Sequence, residues 1–353
     1  MRLRFRLAGV ATLSCTAALC AVFLSVGVPS GSAAWSPGTL FALPVDIAVS
    51  GSHAWVVNNY ESLKSPIGNS VTELNVSNGS LVRIISLSHI VGGLTAPNSI
   101  AASGAHVWVT DLNRIIELNA SNGSVVRVIK AKARFHAFEN PPALFAIAAS
   151  GTKVWAVNLN SVLEINASNG TVEQVIHAKA DRFSMPFGLV VSGSHVWVMN
   201  NVVGDRITEL NGSNGSLVRV INPRAGVFDQ PAFAASRSRV WVSNYDGNSV
   251  NELNGSNGSL VRVIRFRALV GFTWPDTIAV SGTHLWVTNE NTIIELNASN
   301  GSLVRVIKAN ADGFEVMPAV YAFDAIHIWV VNTQSNSLTE LNSSNGSLVR
   351  VIK

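Results

Sequence analysis

Hydrophobic and polar positions alternate along this chain in short runs, and the runs come back. From Pro44 onward, segments of four to seven residues rich in Val, Ile, Leu and Trp are separated by Ser-Gly, Asn and Ser-Asn-Gly. Runs of that length bounded by such residues predict β-strands joined by tight turns. The clearest unit reads PDTIAVSGTHLWVTNENTIIELNASNGSLVRVIK, from Pro275 to Lys308. It divides into four strands: IAVS, HLWVTN, TIIELN and SLVRVI. Beyond the first 34 residues, no segment shows a sustained 3.6-residue period, so the expected class is all-β.

The unit repeats seven times. A Trp recurs at 55, 108, 155, 197, 241, 286 and 329, in steps of 42 to 53 residues. A Glu recurs at 73, 117, 164, 209, 252, 295 and 340, followed each time by an Asn-Gly pair. Four antiparallel strands at this period predict a β-propeller blade, because a lone four-stranded sheet leaves both faces wet and a closed ring of sheets buries them. We expect one seven-bladed propeller over residues 35–353, with units starting near 44, 97, 144, 186, 231, 275 and 318. Residues Thr39 to Leu43 are candidates for a further contribution to the last blade.

The first 34 residues read differently. Arg2, Arg4 and Arg6 precede an uncharged run from Leu7 to Val28, and small residues lead to Ala34. This predicts a signal peptide over 1–34, with an uncleaved anchor as the alternative. The expected location is secreted or extracytoplasmic: periplasm or cell surface. Both cysteines, Cys15 and Cys20, lie in this segment, so the exported chain would have no disulfide or thiolate site.

Charge narrows the function classes. Only 13% of residues are charged and the formal net charge is +4. Without the three N-terminal arginines it is near +1, too little for nucleic-acid binding. No nucleic-acid partner is expected, and a membrane would be met only through an uncleaved N-terminal segment. A monomer is expected.

Each repeated side chain has an expected role. The Trp should fill the space between blades. The Ser-Asn-Gly turn, read as a type I turn followed by a left-handed residue, places Glu73 opposite Arg83, Glu117 opposite Arg127 and Glu295 opposite Arg305. In the third unit Glu173 is expected to face Glu164. Such cross-strand pairs should be worth roughly 0.2–1 kcal/mol each. A basic residue precedes each Trp by two: His53, His106, Lys153, His195, Arg239, His284 and His327. Spread over seven blades and interchangeable with Lys and Arg, these are expected to be turn residues and not a metal site. The two overlapping Asn-x-Ser/Thr sequons per unit could carry glycans in a secretory eukaryote; turn chemistry is the simpler reading.

A specific site belongs where the copies differ. The connections from second to third strand, and from fourth strand to the next first strand, share one rim and vary. The candidate binding rim comprises Phe135, Phe183, Phe228, Trp274 and Phe314, with an Asn-rich ring of Asn58, Asn158, Asn200, Asn244, Asn289 and Asn332 and Asp111 in place of an Asn. The ring could line a polar mouth or bond to neighbouring turns. The mixture suits a protein, glycan or small polar ligand. No sequence motif for a hydrolase, metalloprotease, nucleotide or calcium site occurs. No cofactor and no metal site are expected, and the chain reads as a non-catalytic binding protein.

The repeated WVxNxxxNxIxELNASNGSLVRVI resembles bacterial YncE-like and NHL-like propellers over Pro44 to Lys353, and more distantly the streptogramin B lyases. The first resemblance implies an exported binding protein. The second implies a metal-assisted lyase or hydrolase using a loop His base, an acid and Mg²⁺. Under that alternative the candidates are His89, His136, His177, Glu139 and Glu290.

Overall fold

The computed structural model describes residues 39–60, 67–87, 90, 96–130, 144–158, 160–177, 183, 186–200, 206–221, 232–236, 238–244, 247–265, 274–289, 292–308, 320–323 and 326–353. They form 28 strands in seven four-stranded antiparallel sheets, each made from four consecutive strands. In blade 1 these are β1 (Pro44–Ser50), β2 (His53–Asn58), β3 (Ser70–Asn75) and β4 (Leu81–Ser86). The order repeats to the last strand, Leu348–Ile352. The first strands of successive blades adjoin one another around the axis, and that of blade 7 adjoins β1, so the ring closes. Fourth strands form the outer edge. No described helix is long and apolar enough to cross a membrane.

The ring forms because each sheet is apolar on both faces. The second strands are buried along almost their whole length. Each Trp packs forward onto the following blade. Trp55 meets Val107, Val109 and Leu118; Trp108 meets Val154 and Leu163; and Trp329 meets Ala54, Val56 and Leu74 of blade 1. All seven are 0–2% exposed. A Trp→Ala change at such a site costs about 3–5 kcal/mol.

Closure between blades 7 and 1 needs no shared sheet. Blade 7 keeps four strands, and Thr39–Leu43 add none. Phe41 enters the apolar layer beside Trp329. The Leu43 N–H donates to Asn336 Oδ1 at 2.7 Å, and Thr333 Oγ1 donates to the Pro44 carbonyl at 2.7 Å.

One register differs from the sequence reading. Glu164 faces Gln174, not Glu173. Every Glu is followed by a bulge, at Glu73/Leu74 in blade 1 and Glu164/Ile165 in blade 3. Gln174 occupies the Arg position, and Glu173 is the extra residue that the bulge accommodates.

Candidate functional site

The two rims are built differently. The rim of Ser-Gly and Ser-Asn-Gly turns is repetitive in its bonding as well as its sequence. In blade 1, Asn75 Oδ1 accepts the Ser77 N–H at 2.9 Å and its hydroxyl at 2.7 Å. Asn78 Oδ1 accepts the Ser80 N–H at 2.9 Å, and the Gly79 N–H donates to the Asn75 carbonyl at 2.8 Å. The turn is tied to its neighbour by Val76 N–H donating to the Ser52 carbonyl at 2.9 Å, a bond with a counterpart in every blade. Both sequon asparagines thus have structural work in the turn.

Beneath this turn lies a buried ion network. Glu73 is fully buried and holds His53 Nδ1 at 2.8 Å and Arg83 Nε at 2.9 Å. Burial raises the Glu73 pKa, against the pull of Arg83 and His53. His106–Glu117–Arg127 and His195–Glu209–Arg219 repeat the arrangement at 2.6–2.8 Å. Arg239 replaces the His in blade 5. In blade 3 Lys153 bonds to Glu164 and Glu173 together; those two bonds raise the lysine's pKa, and the bond to Lys153 lowers that of Glu173. The His rings of blades 1, 2, 4 and 6 stack on their own Trp with centroids 5.5–6.3 Å apart. The basic residues are therefore structural, and they also bind the Glu across the second and third strands.

Burial corrects the energetic expectation for the Glu–Arg pairs. A carboxylate with no exposure cannot lose a partner for a fraction of a kcal/mol; stranding a buried charge costs about 3–5 kcal/mol. The arginines also cross to the next blade. Nη2 of Arg83, Arg127, Arg219, Arg262, Arg305 and Arg350 donates to the carbonyls of Ser121, Ser168, Ser256, Ser299, Ser344 and Ser77 at 2.6–3.3 Å. With its amide turned to face its acceptors, Gln174 makes the remaining crossing, donating to the Asn214 carbonyl at 3.0 Å.

The other rim carries the candidates for specific binding. Its Asn ring is buried, 0–5% exposed, and bonds locally. Asn58 Nδ2 donates to Ser70 Oγ and Thr72 Oγ1; Asn332 does the same to Ser337 and Thr339. Asn158, Asn244 and Asn289 accept N–H groups from the turn that follows, and Asn200 donates to the Arg206 carbonyl. Asp111 accepts the Ala96 N–H at 2.7 Å and pairs with Arg114 at 2.9 Å; burial raises its pKa. These residues staple the second-to-third-strand turns; the geometry is that of turn bonding, not of a polar mouth.

The aromatic candidates divide. Phe183 corrects its assignment to the rim surface: it is 5% exposed and packs with Phe145, Trp155 and Val196 between blades 3 and 4. Trp274 is 42% exposed. Its N–H donates to Asn248 Oδ1 at 2.6 Å. Phe135, Phe228 and Phe314 lie outside the described residues, as do His89, His136, Glu139 and Glu290. His177 is exposed at the end of an outer strand, opposite Ser161. Among the described residues no group of three or more His, Cys, Asp or Glu could hold a metal ion.

Sequence reasoning missed Asp46. On the innermost strand of blade 1, it accepts the Ile47 and Ile100 N–H groups and the Ser99 hydroxyl, each at 2.8 Å. Burial pushes its pKa up to about 6 despite those bonds. It links blades 1 and 2 beside the axis. No other unit carries an acid there, so repetition gave no signal.

Comparison with known proteins locates the fold. No family model matches the chain, and no curated protein sequence matches it. Among solved structures it is similar to the β-propeller domain of Cps50 (Swd1) from Myceliophteria thermophila, at 12% identity and TM-score 0.60, covering 86% of this chain and 95% of that one. It is also similar to hydrazine synthase of Kuenenia stuttgartiensis, at 14% identity and TM-score 0.68, covering 90% and 99%. Likenesses at such identity carry the architecture alone: the chain is a seven-bladed β-propeller.

Proposed function

We propose that this chain is an exported, non-catalytic binding propeller of the YncE-like or NHL-like kind, taking a protein, glycan or small polar ligand on its variable rim. One observation carries the reading: one rim is the same bonded unit seven times over, while the other changes from blade to blade. A rim of seven equal turns cannot single out one ligand by shape. A rim whose residues differ at each seam can. The N-terminal basic and apolar segment supports export.

The test is a thermal-shift screen of saccharides, peptides and small polar compounds, with and without Mg²⁺, on the wild type and on variants of each rim. The expected result is a ligand whose stabilising effect is lost with variable-rim substitutions and survives Ser77→Ala or Ser121→Ala on the repeated rim. Mg²⁺-dependent turnover of any ligand would overturn the non-catalytic assignment in favour of a lyase or hydrolase. Fractionation of expressing cells tests export: mature chain starting at Trp35 outside the cytoplasm is expected, and full-length chain retained inside would refute it.

A further inference from the structure

Most exposed apolar surface among the described residues has a repeat origin. Of 15 exposed large hydrophobics, 13 lie on fourth strands, the outer edge of each blade. Ile326 lies in the turn before His327. Trp274 belongs to neither group: it sits on the variable rim, at the seam between blades 5 and 6.

The backbone there is held in an uncommon conformation. Trp274 has φ 55°, a region that a bulky side chain rarely occupies. The Asn248 amide oxygen fixes it from blade 5, and Asn248 is itself at φ 47°. The seam between blades 7 and 1 uses the same fastening: Leu43, φ 47°, donates to Asn336 Oδ1, and Asn336 has φ 51°. Leu43 and Trp274 each precede the proline that leads into a first strand. The fastening accounts for the backbone at both seams. It does not account for the side chains: Leu43 is part-buried, whereas the largest apolar side chain of all stands 42% exposed.

We propose that Trp274 is a stacking platform for a saccharide ring on the variable rim; the proposal rests on the binding function assigned to that rim. The exposed indole face offers apolar area to the C–H face of a pyranose, on a backbone that Asn248 already holds. The part-buried polar residues beside it, Asn248, Asp276 and Thr277, carry the amide, carboxylate and hydroxyl chemistry that ring hydroxyls need. An extended peptide would need an open strand edge next to the indole. There the chain is already bonded to its own blade, Asp276 N–H to the Thr288 carbonyl and Thr277 N–H to Thr288 Oγ1.

Fluorescence can read this residue selectively, because the seven blade tryptophans are shielded. In a Trp35→Phe background, acrylamide quenching is measured with chitohexaose, cellohexaose and maltohexaose, and the labelled protein is applied to a glycan array. The expected result is saturable protection by at least one saccharide, a tenfold or greater loss of affinity in Trp274→Ala, and partial retention in Trp274→Phe, with melting temperatures unchanged. Saccharide binding that is unaffected by Trp274→Ala overturns the platform. So does the absence of any saccharide ligand. If a peptide or other compound binds instead and is lost with variable-rim substitutions, the rim keeps its function and the saccharide assignment falls.

Discussion

The two rims solve opposite problems with one scaffold. On the repeated rim, a turn, a buried Glu, a basic partner and an arginine crossing recur around the ring, and every crossing runs the same way, from one blade to the next. On the variable rim, the bonds from Asn58, Asp111, Asn158, Asn200, Asn244, Asn289 and Asn332 also hold turns, yet each staples a different one. The contrast teaches where stability resides and, under the proposed function, where specificity does. The crossings that recur around the ring lie on the repeated face, while the interblade bonds elsewhere, Leu43 to Asn336 and Asp46 to Ser99, belong to single seams.

Removing a buried acid should have the largest effect. Glu117→Ala removes two charge-assisted bonds, to His106 and Arg127, and leaves unfilled space at a position with no exposure, so urea unfolding should show a loss of about 3–5 kcal/mol. In blade 3, Glu164→Ala should cost less, because Lys153 keeps Glu173. Equal losses would mean that the second acid carries nothing.

Asp46 should give the next largest effect, as a slope with pH. Its pKa is about 6 in the fold against 3.8 as the reference. The stabilisation is complete below pH 3.8 and is lost as pH rises through about 6, by at most ~3 kcal/mol and less where water reaches the part-exposed carboxylate. Asp46→Asn should lack that slope between pH 4 and 7, whatever its constant offset. Parallel profiles for the two proteins would refute the assignment.

Two glycines isolate the interblade contact. Gly123 has φ 70°, and a Cβ there would meet Arg83 Cδ at 2.8 Å and Ile85 Cδ1 at 2.9 Å; Gly104 has φ 58° with nothing within 4 Å. Gly104→Ala should cost about 1 kcal/mol, the left-handed backbone alone, and Gly123→Ala about 1–2 kcal/mol more. The smallest effect should come from the variable rim, where Trp274→Ala should shift stability by less than ~0.5 kcal/mol in thermal unfolding.

Repetition made much of this legible in the chain itself. The blade count, the strand order and the Glu73–Arg83 register are legible because one Trp, one Glu and one Ser-Asn-Gly turn recur in each of seven units. Where a residue breaks the pattern, the repeat is a poorer guide: Glu173 lies one position before the residue that faces Glu164, and Asp46 has no counterpart in the other units to mark it. Depth was also hidden. Alternation marks Glu117 as a strand residue facing Arg127, but nothing local says that a neighbouring blade covers it. The arginine crossings join residues about 40 apart or, at the closure, 273 apart, and leave no short-range trace. Of the candidate site, the positions of the Asn ring were legible; their burial depends on the tertiary packing of the turns.

The Asn-Gly pairs have one more consequence, for the chemical ageing of the protein. In an unfolded chain, the glycine nitrogen of Asn78-Gly79 can attack the Asn78 side-chain carbonyl carbon and expel ammonia, and water then opens the resulting succinimide to aspartate or isoaspartate. In the folded ring, that nitrogen donates to the Asn75 carbonyl, and the Asn78 amide oxygen is held by Ser80. The same turn therefore restrains its own deamidation in seven places, and isoaspartate accumulating there would be a clock for how often this rim opens.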